Sequence, residues 1–228
     1  MKIIKVAFFG DAGSGKDWVA KNLREIYNKQ TGYETIRFAF ADELKRDLFN
    51  LMGLSKNQWQ DFLYSESFKQ ERFMDFDKYE IHEYSEADKF NLLTANELEI
   101  QGSPKPKDAM QIRELCVYYG TMVMQKTMGK NIWVNKVFNS ELYKKANSID
   151  NSLITITDVR FPQEFDRCKK EGFIMVRVIM KEKEKLIKNK NIAESYISDF
   201  KEDLIFNNSL DNTKFQTELI KLLNKLNV

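Results

Sequence analysis

Eight residues near the start of the chain, Gly10-Asp11-Ala12-Gly13-Ser14-Gly15-Lys16-Asp17, have the types and spacing to hold a phosphate. Glycines let a backbone curl until several N–H groups point at one spot, and a lysine directly after them adds a full positive charge. A helix beginning there contributes the partial positive charge of its N-terminus. The spacing is G-x-x-x-x-G-K, with Asp17 at the position where a hydroxyl residue usually meets the metal. A carboxylate there can take Mg²⁺ directly or through water, because the ion prefers oxygen ligands and keeps several waters. Much later, Asp158-Val159-Arg160 offers a second carboxylate and a guanidinium. These are the parts that phosphoryl transfer needs, since that chemistry depends on charge neutralisation and in-line positioning more than on covalent help. Lys16 and the loop would grip donor phosphates, and Asp17 and Asp158 are candidate metal ligands. Arg160, Arg113, Arg72 and Lys45 are candidates for an acceptor phosphate, which arginine holds bidentately. The plain alternatives are that Asp158 merely pairs with Arg160 and that Arg72 is simply exposed.

Elements able to position these groups are legible on either side. Ile3 to Phe9 is a short, β-rich apolar run and reads as a buried strand. Val19, Leu23, Ile26 and Tyr27 share one face of the helix that follows the loop, and Thr31-Gly32 stops it. Glu34 to Phe40 reads as a second strand, and Asp42 as the N-cap of a helix over the next residues. Lys45 and Arg46 lie in that helix's first turn, where cations oppose the dipole unless an anion is near. Residues 50–107 change character: aromatics and charges alternate without a period, and Gln101 to Lys107 holds two of the three prolines. This stretch reads as an insertion of helices and loops.

Beyond it, Asp108 to Met128 reads as a helix interrupted near Gly120-Thr121, and a further helix runs from Asn131 to about Asn147. Trp133, at its start, suits either a core or stacking on a base. Ser152 to Asp158 is a third strand, Pro162 begins a helix at a position proline tolerates, and Phe173 to Met180 is a fourth strand. The lysine-rich run from Lys181 to Lys190 is a solvated segment or a lid that excludes water from a bound donor. Asp203 to Asn208 is a fifth strand, and Phe215, Leu219, Leu222, Leu223 and Leu226 mark a C-terminal amphipathic helix. Strands alternating with helices give an α/β fold with a parallel sheet, whose sites lie at the carboxyl ends of the strands. Gly10, Asp158 and the segment after Met180 all fall at such ends.

Composition removes several function classes. Lys and Arg total 36 against 34 Asp and Glu, a net +2, which argues against a dedicated nucleic-acid binder. No apolar run approaches membrane-spanning length, and Met1-Lys2 leading straight into a strand is no signal peptide. Neither nucleic acid nor a membrane is therefore expected as a partner. Cys116 and Cys168 lack metal-ligand spacing and read as thiols inside helical segments. The only histidine, His82, sits in an acidic stretch and reads as a surface residue; one histidine excludes a His-rich metal site.

The ordered set of residues resembles the phage deoxynucleoside monophosphate kinases, members of the P-loop nucleoside monophosphate kinase fold. The likeness rests on Gly13-Ser14-Gly15-Lys16-Asp17, on Phe40-Ala41-Asp42-Glu43-Leu44-Lys45, and on Arg113-Glu114-Leu115 followed by Gly120-Thr121. It continues in Trp133-Val134, Thr157-Asp158-Val159-Arg160 with Glu164, Glu194, and Asp203 to Asn208, leaving about residues 50–107 uncovered. The resemblance implies a P-loop kinase core with a five-stranded parallel sheet and a mainly helical acceptor-binding insertion. It implies transfer of a phosphoryl group from ATP, with Mg²⁺, to a deoxynucleoside monophosphate, in the cytoplasm (the host cell's, if the gene is a phage's). The donor site would comprise Gly10, Gly13, Ser14, Gly15, Lys16, Asp17 and Trp18, with Lys16, Asp17, Asp158 and Arg160 catalytic. The acceptor site would comprise Leu44, Lys45, Arg113, Gly120, Thr121, Trp133, Arg160 and Glu164; Arg72 is added on its chemistry alone. Residues 1–45 and 113–228 would form the core, with a lid at about 181–198, and 46–112 the acceptor-binding insertion.

The chain also departs from that family's pattern. Trp18 replaces a threonine, Val117 a glutamine, Gln125 an arginine, Lys181 an arginine and Asn191 a histidine. Lysine does not reproduce arginine's bidentate geometry. Two alternatives stay open on the same fold: a kinase for another small phosphorylated acceptor, and a nucleotide-binding module without turnover. A homodimer is an open assembly state.

Overall fold

The structure, a computed structural model, describes residues 2–51, 72–75, 80–83, 109–180 and 196–227. Among them the strands are β1 (Ile4–Phe9), β2 (Thr35–Phe38), β3 (Arg72–Asp75), β4 (Glu80–Glu83), β5 (Ala109–Gln111), β6 (Leu153–Val159), β7 (Ile174–Met180) and β8 (Leu204–Asn208). The helices are α1 (Lys16–Thr31), α2 (Phe40–Leu51), α3 (Ile112–Val117), α4 (Lys126–Met128), α5 (Ile132–Phe138), α6 (Glu141–Ala146), α7 (Pro162–Lys170) and α8 (Asn212–Leu226). The chain forms two compact units, residues 1–40 with 134–228 and residues 41–133.

The first unit is built on a five-stranded sheet in the order β2-β6-β1-β7-β8, every pair parallel. A parallel sheet must bury both faces, because its crossovers lay helices on each side. That is why Val6, Ala7, Phe8 and Phe9 run on without a polar break and are all fully buried. Ile4, Val6 and Phe8 join Val19, Leu23 and Tyr27 of α1 and Phe215, Leu219 and Leu222 of α8 in one apolar cluster. Phe9 instead packs edge-on against Phe165 of α7 and against Phe200. Hence the loop after β1 emerges from the rigid centre of the sheet.

Several boundaries differ from the sequence reading, and residues 109–111, expected to begin a helix, are strand β5 with the helix starting only at Ile112. α2 begins at Phe40, so Asp42 lies inside its first turn and is not the N-cap. The N–H of Phe40 is met by a carboxylate from β6, which relieves Asp42 of the task. The helix expected over residues 131–147 is two helices, because Ser140 accepts a hydrogen bond from the Tyr143 N–H at 3.1 Å and caps α6.

The second unit holds a small antiparallel sheet, β4-β3-β5. Helices and loops alone were expected there; four-residue strands carry too little alternation to be told from either. The expected interruption at Gly120-Thr121 is a π-helical stretch, Tyr118–Gln125, between α3 and α4. Among the described residues no helix is long and apolar enough to cross a membrane.

Candidate phosphate site and its surroundings

The loop between β1 and α1 carries three glycines at positive φ, Gly10, Gly13 and Gly15, and at two of them a Cβ would also collide. Gly10 has φ 146° and a Cβ there would run into the Val178 carbonyl; Gly15 has φ 85° and stands at the N-cap of α1. Asp11 accepts from the Ser14 N–H at 3.2 Å through its carbonyl, closing the curl. Lys16 is the first residue of α1, and its stem passes back under the loop. Its Nζ donates to the carbonyls of Gly10 at 2.8 Å and Asp11 at 2.9 Å and lies 3.5 Å from Ser14 Oγ. The side chain is only 8% exposed, in contrast to the exposed lysine of a bare turn. Burial, reinforced by the Arg160 guanidinium, lowers its pKa to about 8, against the opposing pull of Asp17, Asp11 and Asp158. Lys16, Asp158 and Arg160 are thus close enough to feel one another, at the ends of adjacent strands.

Asp17 points outward, with its side chain 74% exposed and Arg37 of β2 at 3.8 Å. Arg37 escaped the sequence reading, because nothing local links a strand arginine to the loop. Trp18 is 56% exposed, its ring tilted against Phe215 at 6.3 Å with Lys21 Nζ 5.9 Å from the ring centroid. Asp158 is half-buried at the end of β6 and its Oδ1 accepts from the Phe40 N–H at 2.9 Å. Arg160 is exposed, and its own N–H donates to Glu164 Oε2 at 2.7 Å. Glu164 also accepts from the Phe161 N–H at 3.0 Å and is 6% exposed, so its carboxyl holds the turn before α7 in place of facing outward. Burial and the nearby Asp158 raise its pKa to about 8.

The metal question turns on donor chemistry. Among the described residues no group of three or more His, Cys, Asp or Glu side chains is gathered for a metal. Mg²⁺ does not require one: it is held by one or two carboxylates with waters and substrate phosphates. Asp17, exposed beside the loop, and Asp158 fit that donor set.

In the second unit, Leu44, Gly120 and Trp133 meet. Trp133 Nε1 donates to the Gly120 carbonyl at 3.2 Å, its ring lies 6.2 Å from that of Tyr119, and it is 4% exposed. Of the two options the sequence left, Trp133 is therefore core. The Gly120 backbone lies against Leu44, whose Cδ1 occupies the place of any side chain at 120. Thr121 bonds back to the Val117 carbonyl at 2.7 Å. Because α2 begins at Phe40, Lys45 and Arg46 lie in its second turn and not its first; Lys45 is 3.9 Å from Asp42 and Arg46 2.6 Å from Glu43, both on α2 itself. Arg113 is exposed on α3. Arg72 is on β3 with its side chain outside what is described, and of the expected lid, about 181–198, residues 181–195 with Lys181, Asn191 and Glu194 lie outside the described residues.

The family model described as deoxynucleotide monophosphate kinase matches residues 51–217, well over half of the chain. The matched segment contains the second unit's sheet, β6 with Asp158, α7, β7 and β8; the loop at residues 10–17 precedes it. No curated protein is similar enough to match.

Proposed function

The chain belongs to the deoxynucleotide monophosphate kinase family, a family of phosphotransferases, and from that premise we propose that it moves the terminal phosphoryl group of ATP, with Mg²⁺, onto a deoxynucleoside monophosphate. The observation that carries this reading is the Lys16 ammonium, held at 2.8 and 2.9 Å on the Gly10 and Asp11 carbonyls within a glycine loop at the carboxyl end of the central strand. Family membership supplies the acceptor class, and the loop, which lies outside the matched segment, independently supplies the phosphate chemistry.

In this reading the loop N–H groups and Lys16 bind the donor phosphates and spread their charge. Arg160, at the end of the strand beside β1, neutralises charge that develops as the phosphoryl group moves. Asp17 and Asp158 would hold Mg²⁺, which supplies Lewis-acid polarisation of the phosphate oxygens. Leu44, Lys45, Arg72, Arg113, Gly120, Thr121 and Trp133 serve the acceptor, Trp133 by supporting the Gly120 backbone and not by stacking. Glu164 serves by orienting the Arg160 turn. Residues 46–112 act as the acceptor-binding insertion and about 181–198 as the lid.

The test is ADP formation from Mg-ATP with each deoxynucleoside and each ribonucleoside monophosphate in turn. Stimulation by one or more deoxynucleotides is expected. Binding of ATP with no stimulation by any of them would overturn the assignment in favour of another acceptor or a module without turnover.

A further inference from the structure

Asn208, the last residue of β8, is 5% exposed and 194 residues away from the atom it holds. Its Nδ2 donates to the Ser14 carbonyl at 2.7 Å. Its Oδ1 accepts from the Ser209 N–H at 2.9 Å, so both ends of the amide are engaged and its orientation is set by the two bonds together. The amide nitrogen also stands where a side chain at position 15 would have to go: a Cβ on Gly15 would run into it.

The consequence follows from the planarity of the peptide. In a trans peptide the C=O of one residue and the N–H of the next point in opposite directions. Pinning the Ser14 carbonyl toward β8 therefore turns the Gly15 N–H the other way. A phosphate-binding loop works only if its N–H groups are already turned inward when the anion arrives; otherwise the anion must supply the energy of ordering them. Gly15 is the residue with the freedom to lose this orientation, because it has φ 85° and no Cβ to limit its torsions.

We propose that Asn208 is a positioning residue for phosphate binding: its amide locks the Ser14–Gly15 peptide and thereby presents the Gly15 N–H to the donor. This rests on the reading of residues 10–17 as the donor-phosphate loop. The Asn208 role is distinct from that of Lys16, which adds charge, and of the candidate metal ligands.

The experiment measures equilibrium binding of Mg-ATP by calorimetry, with melting curves taken without nucleotide, for the wild-type chain, Asn208→Ala and Asn208→Leu. Leucine keeps the bulk and loses the donor. Both variants are expected to remain folded at 25 °C and to bind Mg-ATP at least tenfold more weakly, with the acceptor KM changed less than twofold. Either variant binding within twofold of wild type overturns the proposal while leaving the kinase reading intact. Wild-type binding of Mg-ATP without phosphorylation of any deoxynucleotide would defeat the kinase reading and leave the Asn208 comparison valid. A wild-type chain that binds no Mg-ATP overturns both. Should Asn208→Ala melt below the assay temperature, Gly15→Ala supplies a second route through the Asn208→Leu background. Because the two positions share one contact, their losses in affinity should fall short of multiplying, and losses that simply multiply would overturn the proposal.

Discussion

Asp158 Oδ1 accepts the Phe40 N–H at 2.9 Å across 118 residues of sequence. One carboxylate is therefore asked to do two things: satisfy the first N–H of α2 and, in the proposed reaction, take part in holding Mg²⁺. The two roles separate by substitution. Asp158→Asn keeps an oxygen for the Phe40 N–H and loses the charge. Turnover should fall by ~10²-fold or more, as when a charge-stabilising group is removed, while the melting temperature stays near that of wild type. Asp158→Ala should lose both, at ~1 kcal/mol for the missing cap, or ~2–4 °C in Tm for a chain of this size. Wild-type turnover in Asp158→Asn would remove Asp158 from the chemistry.

Lys16 is buried and its pKa is lowered to about 8, first by desolvation and then by Arg160. The protonated amine attracts phosphate and the neutral one does not, so the free enzyme's affinity for Mg-ATP should be high below pH 8 and fall as pH rises through it. The nucleotide's own phosphates finish ionising below that range, near pH 6–7 by analogy with phosphate esters (about 6). Lys16→Met, which keeps the stem under the loop, should bind Mg-ATP weakly at every pH and lose the titration. Its turnover should drop by ~10²-fold or more, with the fold retained by circular dichroism. A wild-type binding curve flat from pH 7 to 9, or a Lys16→Met enzyme of normal activity, would contradict this.

What the sequence made legible follows from where the information is local. Val6 to Phe9 announced a central strand because both faces of a parallel sheet are covered, and G-x-x-x-x-G-K is complete within eight residues. The interruption at Gly120 could be read because glycine breaks a helical run, and the structure gives it the form of a π stretch. What escaped depends on partners far along the chain. The cap of α2 comes from Asp158, the ion pair of Asp17 from Arg37, and the Ser14 carbonyl is held by Asn208. The burial of Lys16 escaped for the same reason: nothing within the loop itself says that its stem will be covered. Glu164 was recognised as important but not as buried, since its neighbours in sequence include Gln163 and Asp166.

Glu164 links stability to pH. Its carboxyl is buried and its pKa stands at about 8, above the 4.5 of an exposed glutamate, through desolvation and then Asp158. The folded state therefore holds a proton that the unfolded state releases between those two values. Stability from this group is complete below about pH 4.5 and is lost as pH rises through about 8. Glu164→Gln keeps an oxygen for the Arg160 and Phe161 N–H groups and cannot ionise. Between pH 6 and 9 the variant should gain on wild type by at least ~3 °C in Tm, where ~1 kcal/mol corresponds to ~2–4 °C. Parallel melting profiles for the two proteins over that range would show that Glu164 stays charged in the fold.

Gly120 and Leu44 test the second unit. Gly120 is buried in the π stretch, its carbonyl bound by Trp133 Nε1, and a Cβ there would meet Leu44 Cδ1. The obstacle is the end of a flexible side chain and not backbone, so the fold has room to yield. Gly120→Ala should cost about 1 kcal/mol, at the low end for overpacking, because alanine's helix propensity offsets part of the strain. Leu44 must then turn away, and it is one of the residues proposed for the acceptor. The acceptor KM should rise several-fold while the ATP KM stays within twofold, a split that general destabilisation would not produce. Leu44→Ala opens the space, so the double variant should melt higher than the sum of the two single losses allows. Additive losses would mean the two side chains do not share that space, and equal shifts in both KM values would detach Leu44 from the acceptor.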